Sequence, residues 1–223
     1  MGRPNALRWR AVCFDLDGVL IDTMPLHARA WQAALKPLGR RVSRETIYRS
    51  EGEPGIMTAR RLLKPQSSAA DVAAVLRVKE RSFADLARGT TVNRRLAKLL
   101  DALARGGLGL GLVTGTSAAE VRRAVRAQVL ARFQVVVTGD RVRRGKPDPE
   151  PYRTAFRELR VPGRQTIVVE NAPYGIRSAK RAGAGCVIAL SSSLPKRFLS
   201  EADRLTDSVG QLVTLVRGLA GVD

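Results

Sequence analysis

The chain has 223 residues, of which 44% are hydrophobic, and its 39 Lys and Arg outnumber 20 Asp and Glu to give a formal net charge of +19. This composition excludes a disordered or low-complexity chain, and no apolar run approaches the roughly 20 residues needed to span a bilayer. The basic excess favours a polyanionic or phosphorylated partner, but it is spread along the chain, and only 4% of residues are aromatic, which leaves little for base stacking.

The location of the protein is inferred from its cysteines and its first residues. Cys13 and Cys186 both fall in apolar stretches, so we predict buried, reduced thiols. Residues 1–6 lack both the apolar centre of a signal peptide and the Ser or Thr of a myristoylation site. We therefore expect a cytoplasmic protein without membrane contact, present as a monomer or weak homodimer.

The first apolar run, residues 12–14, predicts a buried strand that ends in Asp15 and Asp17. If strand geometry continued through both, their carboxylates would point to the same side and repel unless a cation lay between them. Mg²⁺ suits such a place because it takes oxygen ligands and often bridges carboxylate and phosphate. Gly18 allows a sharp turn whose N–H groups face an anion. From these residues alone, a strand that runs into an acidic turn is an equal alternative.

The next 65 or so residues carry only helical patterns, and no strand is predicted between residues 24 and 90. Pro25 suits a first helical turn, and Ser43 is a candidate N-cap. The predicted helices are 24–35, 43–49, 55–63 and 69–88. We therefore predict a helical cap of residues 24–88, inserted into an α/β catalytic core of residues 1–23 and 89–223.

From residue 93 the pattern changes to strands that alternate with helices. A helix over 93–105 ends at Gly106, and the region 120–126 is predicted to be a surface helix. The predicted strands are 108–113, 134–138, 166–170 and 185–190, and the helices between them are 117–130, 149–159 and 173–182. Such alternation is typical of an α/β fold: a Rossmann-like parallel sheet with helices on both faces.

Polar residues follow each of the first four strands. Ligands of open parallel sheets bind outside the carboxyl ends of the strands, so these side chains should converge at one edge. They are Asp15, Asp17, Thr114, Gly115, Lys146, Glu170 and Asn171. The set suits phosphoryl transfer, in which a carboxylate attacks phosphorus while a cation, a hydroxyl and a lysine stabilise the equatorial oxygens.

Four of these stretches resemble the motifs of the haloacid dehalogenase-like superfamily, and within it the β-phosphoglucomutase-like phosphatase branch. The stretches are 15–23 (DLDGVLIDT), 113–116 (VTGT), 145–149 (GKPDP) and 169–175 (VENAPYG). The resemblance covers essentially the whole chain and includes the helical cap after the first strand.

The resemblance implies roles for these residues. Asp15 would be the nucleophile, and Asp17 the general acid and base. Mg²⁺ would be held by the Asp15 side chain, the Asp17 carbonyl and the fourth motif, Glu170 and Asn171. The substrate phosphate would be bound by Leu16, Asp17, Thr114, Gly115 and Lys146.

Two further residues follow from the resemblance. His27 lies near the cap hinge of this branch, which implies a substrate or hinge role. Asn171 stands where many relatives carry aspartate, so the site lacks one negative charge and weaker metal affinity is expected.

The sequence is compatible with three functions. The leading one is a Mg²⁺-dependent hydrolase of a small phosphorylated metabolite that forms an aspartyl-phosphate. The second is a phosphosugar mutase, which Glu51 and Glu53 disfavour because mutases of this branch carry arginine in that cap loop. The third, a basic nucleic-acid-binding protein on a phosphatase fold, lacks a recognised binding motif.

Overall fold

The computed structural model describes residues 9–222 and contains a six-stranded, wholly parallel sheet. Its strands are β1 (Ala11–Phe14), β2 (Gly109–Val113), β3 (Val135–Val137), β4 (Thr166–Glu170), β5 (Cys186–Leu190) and β6 (Arg204–Thr206), in the order β3-β2-β1-β4-β5-β6. The predicted Rossmann-like α/β fold is confirmed. Residues 1–6, on which the expected absence of a leader rests, lie outside the described residues.

The sheet forms because its central strands are short apolar runs that can be buried on both faces. Phe14 of β1 pairs with Leu112 of β2 on one side and with Val169 of β4 on the other. Cys13 and Cys186 are buried and unbonded, as predicted. Because all strands run in one direction, the polar residues after β1, β2 and β4 meet at one edge.

Ten α-helices are described. They are α1 (Met24–Leu35), α2 (Arg44–Tyr48), α3 (Gly55–Leu62), α4 (Ala69–Leu86), α5 (Arg94–Arg105), α6 (Ala118–Ala124), α7 (Ala127–Leu130), α8 (Glu150–Leu159), α9 (Pro173–Arg181) and α10 (Val209–Ala220). Within residues 9–222, no helix combines the length and apolarity that crossing a bilayer requires.

Helices α1–α4 follow β1, and no strand lies between residues 24 and 90, all of which the structure describes. Local signals define their starts: the Ser43 hydroxyl accepts the Thr46 N–H at 3.0 Å, and Ser68 with Asp71 forms a capping box. Trp31 of α1 and Val75 of α4 are buried in a shared apolar cluster.

The predicted continuous helix 117–130 is wrong. It is divided into α6 and α7 because Val125 is extended, with φ −114° and ψ 125°. Val125 is buried in the same apolar cluster as Val121 and Phe133. The stretch 120–126 is therefore only partly surface. No helix or strand was predicted after residue 190, so β6 and α10 are additional elements.

Candidate active site

Lys146 is the centre of a buried charged cluster at the carboxyl edge of the sheet. Its Nζ lies 2.6 Å from Asp15 Oδ1, 2.7 Å from Glu170 Oε1 and 3.0 Å from the Val113 carbonyl. Asp15 follows β1 directly, whereas Glu170 is the last residue of β4. All three charged residues are at most 3% exposed. The fold thus brings together the predicted nucleophile, lysine and strand-end acid.

Burial and charge pairing act against each other in this cluster. Burial raises the pKa of Asp15 well above its usual value, and Lys146 opposes the shift only in part. For Lys146, burial disfavours the charged form, but Asp15 and Glu170 outweigh it, so the pKa of the lysine is raised. Tyr152 of α8 donates its hydroxyl to Glu170 Oε1, and burial raises the pKa of this phenol.

Asp17 has a different environment from Asp15. Strand geometry does not continue through both residues, because β1 ends at Phe14 and the chain turns at Gly18, whose φ is +82°. The Asp17 carboxylate accepts four side-chain hydrogen bonds. The partners are Thr23 at 2.6 Å and His27 at 3.1 Å on Oδ1, and Thr116 at 2.8 Å and Thr114 at 3.2 Å on Oδ2.

These donors decide the ionisation of Asp17. Burial raises its pKa, but His27, Thr23 and Thr116 together outweigh burial and hold the pKa well below the usual range. In this arrangement Asp17 is an ionised acceptor. Thr114, which was predicted to contact the substrate phosphate, donates to Asp17 here.

Backbone N–H groups also remain available at this edge. Among the described residues, the N–H groups of Leu16, Asp17 and Gly115 donate no hydrogen bond, whereas the Thr114 N–H donates to the Val137 carbonyl. Unpaired N–H groups beside a carboxylate and a lysine are suited to bind phosphate oxygens. Leu16 and Gly115 are both in the predicted phosphate-binding set.

Asn171 provides the test of whether the predicted metal ligands suit Mg²⁺. The residue is 1% exposed, and neither Oδ1 nor Nδ2 has a hydrogen-bond partner. Glu170 is more fully used: Oε1 accepts from Lys146 and Tyr152, and Oε2 accepts from the Asn171 N–H at 3.2 Å. Asn171 thus places a buried, unpaired amide oxygen next to Glu170 and against the turn at Gly18 that follows Asp15 and Asp17. Amide and carboxylate oxygens are the ligands that Mg²⁺ prefers, so these residues fit the ion.

A second group of potential ligands lies on the other side of Asp17. Atoms of Asp17, His27 and Glu51 lie within 4.8 Å of one another. Both Asp17 oxygens are already occupied by donors, and His27 is one of those donors, so the geometry is that of a shared proton. Burial raises the pKa of Glu51, and His27 opposes this shift.

The cap loop that contains Gly52 lies directly on the carboxyl edge of the sheet. A Cβ on Gly52 would come within 2.7 Å of Lys146 Cδ, and one on Gly115 would come within 2.9 Å of the Gly52 carbonyl oxygen. Likewise, a Cβ on Gly145 would lie 2.5 Å from Pro54. Helices α1–α4 thus cover the side of the sheet that carries Asp15.

A cavity of about 250 Å³ lies between the loop 50–56 and the edge of the sheet, and we call it the leaving-group pocket. It is lined by His27 and Thr116, both partners of Asp17, and by Glu51. No site role was predicted for Thr23, Thr116, Tyr152 or Glu51. Only Thr23 and Thr116 lie inside a motif of the superfamily, so only these two could have been recognised as site residues from the sequence.

Comparison with known proteins identifies the family and the fold. A family model described as haloacid dehalogenase-like hydrolase matches residues 12–189. Protein CbbY of Cereibacter sphaeroides is 34% identical over 96% of both chains, and hexitol phosphatase A of Escherichia coli is 31% identical over 92% of this chain and 94% of its own. A crystal structure of beta-phosphoglucomutase from Clostridium difficile has the same fold, with a TM-score of 0.82 at 20% identity and coverage of 96% and 97%.

Proposed function

The chain belongs to the haloacid dehalogenase-like hydrolase family and is a phosphatase of phosphoric monoesters, and we propose that it hydrolyses a small phosphorylated metabolite through an aspartyl-phosphate on Asp15, with Mg²⁺ as cofactor. The observation that carries this proposal is the buried Lys146 that holds Asp15 Oδ1 at 2.6 Å. One Asp15 oxygen is thereby fixed, and Oδ2 has no hydrogen-bond partner among the described residues and is free to attack.

In the first step, Asp15 Oδ2 attacks phosphorus, and the bond between phosphorus and the leaving oxygen breaks. The departing alkoxide takes a proton from Asp17. Asp17 is ionised in this geometry, and the neighbouring His27, whose Nε2 lies 3.1 Å from Oδ1, is positioned to pass a proton to it. The N–H groups of Leu16 and Gly115 donate to the phosphoryl oxygens as charge builds on them. Lys146 stabilises that charge through its own positive charge, because its three N–H bonds already go to Asp15, Glu170 and the Val113 carbonyl.

In the second step, water attacks the phosphorus of the aspartyl-phosphate and loses a proton to Asp17. The phosphorus–Asp15 oxygen bond breaks, which releases inorganic phosphate and restores the Asp15 carboxylate. The same residue thus gives a proton in one step and takes one in the next.

The metal ligands we propose are the Asp15 side chain, the Asp17 carbonyl and the Asn171 side chain. When bound, Mg²⁺ would supply positive charge that keeps Asp15 ionised despite its burial and screens it from the incoming phosphate. Glu170 contributes mainly by holding Lys146, because both of its oxygens already accept hydrogen bonds.

We also propose that residues 24–88 act as a cap on a core of residues 1–23 and 89–223. The close approach of Gly52 to Lys146 supports this, because Lys146 donates to Asp15, the proposed nucleophile. Such a cap would exclude bulk water during transfer. His27 would then link cap helix α1 to the proton-carrying Asp17. The cytoplasmic location inferred from the sequence stays a prediction.

Hydrolysis is favoured over the mutase alternative by the cap loop. Glu51 and Glu53 line the leaving-group pocket, which has no arginine among its described lining residues to hold the second phosphate of a bisphosphate intermediate. The similarity to phosphatases favours an enzyme over the alternative of a nucleic-acid-binding protein.

The test is release of inorganic phosphate from p-nitrophenyl phosphate with and without Mg²⁺, by the wild type and by Asp15→Asn. We expect Mg²⁺-dependent release that Asp15→Asn abolishes, because an amide of nearly equal size is a poor nucleophile. Trapping of a phosphorylated wild-type chain by acid quench, absent from Asp15→Asn, would identify the intermediate. Activity of Asp15→Asn above a few per cent of the wild type would remove Asp15 from the nucleophilic role.

A further inference from the structure

The leaving-group pocket is acidic in a strongly basic protein. Five carboxylates and one lysine line it: Glu51, Glu53, Glu80, Glu120, Asp140 and Lys79. The whole chain carries a formal charge of +19, so the charge of this pocket is opposite in sign to the net charge of the protein. A leaving group that occupies this pocket while Asp17 protonates it therefore meets a negative local potential.

Some of these acids are already compensated. Glu53 accepts hydrogen bonds from Thr58 at 2.8 Å and Arg61 at 3.2 Å, and Asp140 accepts from the Ala118 N–H at 3.1 Å. These two residues hold the walls of the pocket together and have little capacity left for a ligand.

Two carboxylates are not compensated in this way. Glu120 Oε1 is buried without a hydrogen-bond partner, although its other oxygen caps α6 through Ser117. Lys79 is the nearest cation, but its Nζ lies 3.7 Å from Oε1, beyond hydrogen-bond distance, and 4.9 Å from the centre of the Phe83 ring. Glu51 is half-buried beside His27 and Asp17. No side chain donates a hydrogen bond to it among the described residues, and the groups that favour its charged form are His27, the Gly52 N–H and Lys79.

A buried carboxylate oxygen without a donor is costly unless a ligand supplies one. Hydroxyl groups on a ligand can donate this hydrogen bond. An ammonium group can also donate it and, in addition, carries the opposite charge. A second phosphate or a carboxylate on the substrate would instead face Glu51 and Glu120 with like charge.

We infer that the leaving-group pocket selects a polyhydroxylated leaving group that carries an amine and rejects one that carries a second anion, with Glu51 as the specificity-determining residue. This inference rests on the proposed phosphatase function and narrows its substrate class. The volume of about 250 Å³ accommodates a leaving group of sugar size. Glu120 is the second acceptor, at the core side of the same pocket.

The experiment uses pairs of substrates with the same number of carbon atoms, one of which carries an ammonium group and the other a carboxylate. A six-carbon pair is glucosamine 6-phosphate against 6-phosphogluconate, with glucose 6-phosphate as the neutral reference. A two-carbon pair is phosphoethanolamine against phosphoglycolate. The measured quantity is the ratio of kcat/KM for the amine to kcat/KM for the acid, at fixed free Mg²⁺. We expect the wild-type ratio to be roughly tenfold or more, the contribution of one charge-assisted hydrogen bond.

The variants test whether Glu51 sets this ratio. Glu51→Gln keeps the size and removes the charge, and we expect it to lower the ratio at least severalfold. Glu158→Gln is the matched control, since it makes the same change on α8, outside the pocket, where Glu158 pairs with Arg141. Glu120→Gln provides a second test within the pocket if Glu51→Gln fails to fold.

A general loss of activity through misfolding would lower both rate constants together and leave the ratio unchanged. The inference is overturned by a wild-type ratio near or below one, by a ratio that Glu51→Gln and Glu120→Gln both leave within twofold of the wild type, or by failure of both pairs to react. Turnover of p-nitrophenyl phosphate in the same preparation separates these outcomes from failure of the proposed function, because that substrate tests the chemistry without the pocket.

Discussion

The substitution Asn171→Asp tests the metal site most directly. Asn171 is buried, and its side-chain amide has no partner, so this position has the capacity to ligate an ion but no charge with which to do it. An aspartate there adds one negative charge beside Asp15 and Glu170. Two unit charges about 4 Å apart interact by about 4 kcal/mol at an effective dielectric of about 20, and desolvation offsets part of this.

We therefore expect Asn171→Asp to bind Mg²⁺ about 10–100-fold more tightly, which corresponds to about 1.4–2.7 kcal/mol. Without Mg²⁺ the same variant should be less stable than the wild type by at least about 1–3 kcal/mol, because the new carboxylate is buried among like charges with no donor. Saturating Mg²⁺ should restore the lost stability, because an ion that binds more tightly adds more to the free energy of unfolding.

Isothermal titration calorimetry gives the Mg²⁺ dissociation constant, and thermal unfolding with and without the ion gives the stabilities. Asn93→Asp is the control: Asn93 caps α5 by accepting the Arg95 N–H at 2.9 Å, and the exposed residue lies outside the cluster. It should leave Mg²⁺ affinity unchanged. A folded Asn171→Asp variant that binds Mg²⁺ no more tightly than the wild type would refute the proposed role of residue 171.

Asp17→Asn should slow hydrolysis of an alkyl phosphate by about 10²–10⁴-fold and of p-nitrophenyl phosphate much less, because a good leaving group needs no proton; equal losses in initial rate on both substrates would argue against general acid catalysis. Burial raises the pKa of Cys13 from 9.0 to about 12, so the stability contributed by the neutral thiol is present below pH 9 and lost as pH rises towards 12. Between these values, the free energy of unfolding should fall by up to about 1.4 kcal/mol per pH unit more steeply in the wild type than in Cys13→Ala, as denaturant titrations would measure; parallel slopes would contradict the burial argument. Arg49, Arg61, Arg177 and Arg197 line a cleft between the cap helices and α9, and a positive field of this kind attracts phosphorylated substrates. Stopped-flow measurements at fixed free Mg²⁺ should therefore show kcat/KM falling with ionic strength around 0.1 M, where the Debye length is about 10 Å, while kcat stays constant; a flat kcat/KM with substrate capture rate-limiting would mean that the arginines steer nothing.

The features that could be predicted from the sequence are those encoded by short-range pattern. Apolar runs that alternate with helical periods specify a parallel sheet, and a parallel sheet brings the residues after its strands to one edge. For that reason Asp15, Lys146 and Glu170 could be placed together before their contacts were known. Caps such as Ser43 could be located for the same reason, because their partners lie within one helical turn.

The tertiary structure decided which donors surround each acid. Asp17 is bonded to Thr23, His27 and Thr116, which lie 6, 10 and 99 residues away. These contacts depend on the turn at Gly18 and on the position of α1, so no sequence period reports them. They determine that Asp17 is ionised while the neighbouring Asp15 has a raised pKa.

The acidity of the leaving-group pocket was also hidden from the sequence. Composition predicts positive charge everywhere, whereas the pocket collects carboxylates from the cap loop, α4, α6 and the segment after β3. The break at Val125 was hidden as well: its backbone is extended although helices α6 and α7 flank it, and the local helical pattern does not report it. Strand order and side-chain direction bring residues together that are far apart in the chain, and only the folded chain specifies both.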